Sequence, residues 1–340
     1  MACSREFGAL WTAEIQCRCL LWWPKDAAPW THLETDPSPA YIDSRRNPHA
    51  TLVTMAGDGA GAYPVIGDGA ASDSATRARA SLGPARRDVP SMCPDGYDQS
   101  VWAARVDLAA CYHLCDQMDM NEGICNHHTV MVPGTTDRFL CIPYGLLWTE
   151  VTASNLLLLD ETGRVLEGDG EIDATAFFIH KAIHKTGVVC VLHTHQPYAS
   201  ALCCTKGFRV RMCHQNSLRF FDEIAYDPTF NGLVLDDTEG ERLVDVMGGK
   251  SVLFHANHGV IVCGPTVAEA FDDMYYLERC CKVQILAMST GDELNDVSDP
   301  VAKKFKEDCA SDGGKANWAK QHFDALKRGL LRGPGRIFCE

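Results

Sequence analysis

The stretch Gly187-Val188-Val189-Cys190-Val191-Leu192-His193-Thr194-His195 decides how the chain is read. Its apolar run is rich in β-branched residues and carries no charge, the composition of a buried strand. In extended backbone the side chains of residues i and i+2 share a face, so His193 and His195 can reach one point in space. Pro197 follows, and a helical stretch opens at Tyr198. Two imidazoles at a strand end, where the chain turns into a loop, are half of a metal site. A zinc-like ion that does chemistry takes a third protein ligand and keeps one position open. The best candidate for the third ligand is His258, in Phe254-His255-Ala256-Asn257-His258-Gly259-Val260-Ile261-Val262-Cys263-Gly264, where two strand-like segments flank a kink at Gly259. A lone strand histidine is more often a hydrogen-bonded core residue than a ligand, so spacing alone leaves both readings open.

Outward from this strand the elements alternate. Residues 101–118 carry apolar side chains at helical spacing. Residues 128–132 and 138–142 read as a hairpin closed by Pro133-Gly134, and 156–160 with 164–166 as a second pair about Glu161-Thr162-Gly163. A helix over 174–185 places His180 and His184 one turn apart, a second histidine pair with metal-binding spacing. On the far side come a strand near 224–226, a short helix over 239–247, the strands flanking His258, and a long helix over 266–288. Thr266 caps that last helix, with Glu269 completing the capping box. Hairpins mixed with helices imply an α/β fold with a mixed, largely antiparallel sheet and helices on both sides, not a doubly wound nucleotide fold. No glycine-rich phosphate motif opens any helix.

Composition narrows the function. A net charge of −14 and no basic stripe argue against nucleic acid. No apolar run is long enough to span a membrane. The 17 cysteines include several inside apolar strands or helices (Cys190, Cys263, Cys280, Cys281), and no CxxC pair occurs. Reduced, buried thiols of an intracellular protein are expected, in the cytoplasm. Residues 1–95 differ: 56–87 are mostly Ala, Gly, Asp, Ser and Arg, too polar to offset their ordering entropy, so a disordered extension is expected. Organelle targeting by this extension is disfavoured by Glu6, Glu14 and Asp26. A domain over 96–292 and a helical tail over 293–340, with a last helix at 315–330, complete the division.

Tyr144-Gly145-Leu146-Leu147-Trp148-Thr149-Glu150-Val151-Thr152-Ala153-Ser154-Asn155-Leu156, the Val191-Leu192-His193-Thr194-His195 strand, Asn257-His258-Gly259 and Ala268-Glu269-Ala270-Phe271 occur in an order and spacing that resemble the class II aldolase/adducin family. The likeness continues through Met274-Tyr275-Tyr276-Leu277-Glu278-Arg279. It implies a three-layer α/β/α domain, assembled as a homotetramer with sites near subunit contacts. It also implies that His193, His195 and His258 hold a divalent ion, zinc first, with manganese, iron or cobalt as alternatives. Such an ion chelates a carbonyl and a neighbouring hydroxyl and stabilises an enolate, so aldol cleavage, epimerisation, dehydration and decarboxylation are all within reach.

Two departures bear on the substrate. The family's sugar-phosphate enzymes carry an acidic residue four positions before the histidine matching His180; here that position is Ala176. Their phosphate-cradling turn is replaced by Cys125-Asn126-His127-His128-Thr129. The resemblance thus implies a small oxygenated carbonyl or acid substrate, not a sugar phosphate, held by Asn126, His127, Tyr144 and Gly145. The proton donor is left open among Glu171, Asp173 and Tyr276, each of which also reads as a loop carboxylate or a core aromatic. The rival function is a non-catalytic, adducin-like domain for assembly or cytoskeletal binding. Adducins carry a long basic C-terminal tail, whereas Arg336-Ile337-Phe338-Cys339-Glu340 has no lysine run, which favours the lyase.

Overall fold

The computed structural model describes residues 93–340, so the extension expected to be disordered lies, up to residue 92, outside the described residues. The chain forms α1 (Gln99–Gln117), β1 (His127–Met131), β2 (Arg138–Cys141), β3 (Leu157–Asp160), β4 (Val165–Glu167), α2 (Ala174–His184), β5 (Cys190–Thr194) and α3 (Pro197–Cys203). It continues with β6 (Ile224–Asp227), α4 (Asp237–Met247), β7 (Val252–His255), β8 (Val260–Gly264), α5 (Val267–Met288), α6 (Asp299–Ala310) and α7 (Gly314–Leu330). The strands make one sheet in the order β4-β3-β2-β1-β5-β8-β7-β6. Every neighbouring pair is antiparallel except β6 with β7. The fold is the expected three-layer α/β/α.

Period-two alternation divides the core. Cys190 and Leu192 of β5 and Val260 and Val262 of β8 belong to the cluster that includes α1 and α5. Val191, Ile261 and Cys263 belong to a second cluster with Ile179 and Ile183 of α2 and Leu243 and Met247 of α4. His193 therefore projects on the α2/α4 face, in step with Val191. The polar signals at helix ends are those the sequence displays: Asp98 caps α1, Asp173 caps α2 and Thr266 caps α5 with its side-chain oxygen.

β5 begins at Cys190, later than the apolar run suggests. Gly187 takes a positive φ of 93° to end the turn after α2, which uses up the first residues of the run. α6 was not expected as a separate helix: Ala302 is its buried residue, so its sequence shows no apolar stripe. The C-terminal helices pack back on the layer of α1 and α5. Lys327 bonds Asp107 at 2.7 Å, and the carbonyl of Phe338 accepts from Ala153 N–H at 3.1 Å.

Trp148 positions the strand that enters the site. It is fully buried and meets the rings of Tyr112 at 5.0 Å and His128 at 4.6 Å. Its Nε1–H donates to the Asn126 carbonyl at 3.3 Å. Burial of a side chain this size stabilises the fold by about 2–3 kcal/mol and anchors the loop before β1.

Candidate metal centre

β5 delivers His193 from within the strand and His195 just past its end, while the turn between β7 and β8 delivers His258. The ring centroids lie 5.0 Å (His193–His195), 4.9 Å (His193–His258) and 4.7 Å (His195–His258) apart. One nitrogen from each ring lies within 4.8 Å of the other two. The turn closes tightly over β5 because residue 259 is glycine. A Cβ there would stand 2.4 Å from the Thr194 carbonyl oxygen and 2.8 Å from the His195 ring. Asn257 accommodates the kink with a φ of 57°, a conformation that Asn tolerates better than most residues.

The hydrogen bonds fix the tautomers. His193 Nδ1 lies 3.0 Å from the Val260 carbonyl, which only accepts, so Nδ1 carries the proton and Nε2 the lone pair. His195 Nδ1 meets the Glu122 carboxylate at 2.5 Å, with the same consequence. His255 Nε2 faces the Thr229 carbonyl at 2.9 Å, leaving its Nδ1 to accept from His258 Nδ1–H at 3.4 Å. In all three rings Nδ1 is engaged and Nε2 is the nitrogen left over. His195 Nε2 is buried with no hydrogen-bond partner. Burial, with neighbouring imidazoles, holds His193 well below the usual histidine range and His258 down to about 3, so these rings stay neutral. Three converging imidazoles, two of them held neutral and the third with an orphaned nitrogen, are a donor set that fits zinc or a related divalent ion.

A second array of rings runs away from this centre. His127 pairs with His193 across β1 and β5, their ring centroids 4.9 Å apart. His127 Nδ1 lies 2.8 Å from His180 Nε2; Thr129 Oγ1 lies 2.6 Å from His180 Nδ1 and 2.7 Å from His184 Nε2. His184 Nδ1 ends the array at the Val188 carbonyl, 2.8 Å away. Burial lowers His180 well below the usual range, His184 to about 4 and His127 to about 3, so all three are neutral. The carbonyl at the far end then sets every proton: His184 Nδ1–H donates to it, Thr129 donates to His184, His180 Nδ1–H to Thr129, and His127 Nδ1–H to His180. His127 is left with its Nε2 lone pair. The His180–His184 pair is therefore bridged by Thr129 and not open to an ion.

Asn126, His127 and Tyr144 line one cleft together with Asp173 and Ala176, and Gly145 follows Tyr144 with a φ of 95°. Asn126 Oδ1 accepts His195 N–H at 3.2 Å, while its Nδ2 is buried and unpartnered. The three expected proton donors are not gathered around the histidines. Asp173 lines the cleft, but its carboxylate caps α2 by accepting from Ala176 N–H at 2.8 Å. Glu171 is exposed and contributes its carbonyl to Tyr144 N–H at 2.7 Å. Tyr276 lies beneath the Arg219 guanidinium, 4.2 Å from ring centroid to carbon, with its ring 5.9 Å from His322 of α7. Glu122, His255 and Thr129 were not foreseen. Each acts on a site histidine through a contact that only the folded chain makes.

Residues 106–285 match the family model of the class II aldolase and adducin N-terminal domain. The chain belongs to this family. It is 38% identical over 196 residues to a provisionally named aldolase class 2 protein of Pseudomonas aeruginosa, a match covering 57% of this chain and 74% of that one. It is 31% identical over 253 residues to rat alpha-adducin, covering 69% of this chain but 34% of the adducin. Among solved structures, an aldolase II superfamily protein from Pseudomonas syringae superposes with a TM-score of 0.67 at 33% identity, covering 72% of this chain and 98% of that chain. An L-fuculose 1-phosphate aldolase from Glaciozyma antarctica shares the fold, with a TM-score of 0.62 at 21% identity over 72% of this chain and 96% of that one.

Proposed function

We propose that the chain is a divalent-metal-dependent lyase that cleaves a carbon–carbon bond, by aldol cleavage or decarboxylation, in a small oxygenated carbonyl or acid. The observation that carries this reading is the convergence of three imidazoles whose Nδ1 protons are all committed elsewhere. His193, His195 and His258 would hold the ion, zinc before manganese, iron or cobalt. When bound, it supplies Lewis acidity and stabilises negative charge developing on a substrate oxygen. Asn126 Nδ2–H is free to donate to a substrate carboxylate or carbonyl. His127, a neutral ring on the cleft wall, accepts from a substrate hydroxyl through Nε2. The wall holds Ala176 and no Lys or Arg among the cleft residues, which favours an unphosphorylated substrate.

Among the described residues no helix is long and apolar enough to cross a membrane. The described cysteines are free thiols, most of them buried, which suits a reducing compartment such as the cytoplasm. Assembly as a homotetramer is part of the proposal and is read by sedimentation. The test is a screen of hydroxy-carbonyl compounds and hydroxy acids for cleavage by the metal-loaded chain. Activity lost on chelation, restored by one divalent ion and missing in His193→Ala supports the lyase. The 31% identity to rat alpha-adducin favours a second reading, a non-catalytic assembly domain, which predicts no turnover and unchanged oligomerisation after chelation.

A further inference from the structure

His127 and His128 are successive residues of β1 and so point to opposite faces of the sheet. His127 faces the centre described above; His128 faces α1. There Cys111 and Cys115, one helical turn apart, project from the buried side of α1. All three side chains are 0% exposed. One ligand atom from each lies within 4.8 Å of the other two.

The imidazole is already in a ligand's tautomer. His128 Nδ1 lies 3.1 Å from the His127 carbonyl, so this nitrogen carries the proton. Nε2 is left with the lone pair, buried, and faces the Cys115 thiol, which bonds both this imidazole and Cys111. The nearby Tyr112 hydroxyl does not compete, because it donates to the His128 carbonyl at 2.7 Å and accepts from His128 N–H at 2.8 Å. A thiol S–H is a weak donor, so a cation that displaces its proton is the stronger partner for that lone pair.

We propose that Cys111, Cys115 and His128 form a buried thiolate–imidazole site for a thiophilic d10 cation, Zn2+ or Cu+, distinct from the three-histidine centre. Each cysteine that binds loses its S–H proton to solvent, and the lone pair so exposed makes the S–metal bond; His128 binds through Nε2 with no change of protonation. With both thiolates bound, Zn2+ gives a neutral cluster, which suits full burial. Cu+ suits three donors without a fourth. Full burial leaves no position for a substrate, so the ion ties α1 to β1 and is taken up as the chain folds.

The full-length chain is produced in medium supplemented with Co2+, as a stand-in for Zn2+, or refolded anaerobically with Cu+. Thiolate ligands give an intense near-ultraviolet charge-transfer band that an all-imidazole centre does not, so the wild-type spectrum alone separates the two sites. The expected result is such a band with about one thiolate-bound ion per chain in one of the two arms, the Co2+ arm identifying a zinc-type site and the Cu+ arm a copper-type site. The band is lost in Cys115→Ala and kept in Cys263→Ala, which removes a buried thiol on the other face of the sheet. Wild-type protein without the band in either arm, or a band that survives Cys115→Ala, overturns the proposal.

Discussion

Glu122 accepts the Nδ1 proton of His195 at 2.5 Å across 73 residues of chain, and that single contact decides which nitrogen His195 offers. The carboxylate is exposed, so it contributes little to the packed core. Its work is orientation: a ring with Nδ1 engaged presents Nε2 as a lone pair.

Glu122→Gln keeps the size and removes the charge, and Glu122→Ala removes the partner. Both should weaken divalent-ion affinity, the alanine variant by about 10–100-fold, with the melting temperature of the metal-free chain unchanged. Competition against a chelator of known affinity measures the first, and thermal unfolding the second. Equal affinity in wild type and Glu122→Ala would show that His195 needs no orienting partner.

Gly259→Ala places a methyl group against the Thr194 carbonyl and the His195 ring, with no flexible side-chain end to give way on the carbonyl side. A loss of about 1–3 kcal/mol in urea unfolding is expected, accompanied by weaker ion binding. A stable variant with intact affinity would mean that the β7–β8 turn can move away from β5.

Thr129→Val preserves shape but strips the hydroxyl that bridges two buried imidazoles. Each ring nitrogen left unpaired costs about 1–3 kcal/mol, whereas Thr129→Ser keeps the bridge and should cost much less. The comparison of the two variants by denaturant unfolding separates the hydroxyl from the methyl group. Loss of cleft function in Thr129→Val should exceed that in Thr129→Ser, since His127 depends on the same array for its proton.

Acid should unfold the chain early. His127 is held down at about 3 and His184 at about 4 in the folded state, chiefly by burial, while a histidine in unfolded chain titrates near ~6.5. Between those values the unfolded state binds more protons, so stability is complete above about pH 6.5 and falls as pH drops towards the folded-state values. Each of these two rings removes about 2 kcal/mol between pH 6.5 and pH 5. Urea midpoints of the metal-free chain at several pH values give the slope directly, and a flat profile across this window would contradict the neutral array.

Much of this was legible in local sequence. The strand end at His193 and His195, the turn at His258 and the cap at Thr266 each announce themselves through periodicity or residue type within a few positions. What escaped was set by distance along the chain. Glu122 lies in an ordinary polar loop, and only the pairing of β1 with β5 brings that loop over His195. The kink beside His258 is visible in the sequence, but only the folded turn at Asn257 shows that His255 steers the His258 ring. Tyr276 reads from helix periodicity as a phenol donor or a core aromatic, and periodicity cannot show that Arg219 stacks on its ring. α6 left no stripe to read because it buries so little.

The most direct test of the three-histidine centre is elemental analysis of the full-length wild type beside His193→Ala and His258→Ala. The expected result is that each variant holds about one divalent ion per chain fewer than wild type, with circular dichroism unchanged. Equal metal content in all three proteins, or no metal in wild type after reconstitution, would contradict it.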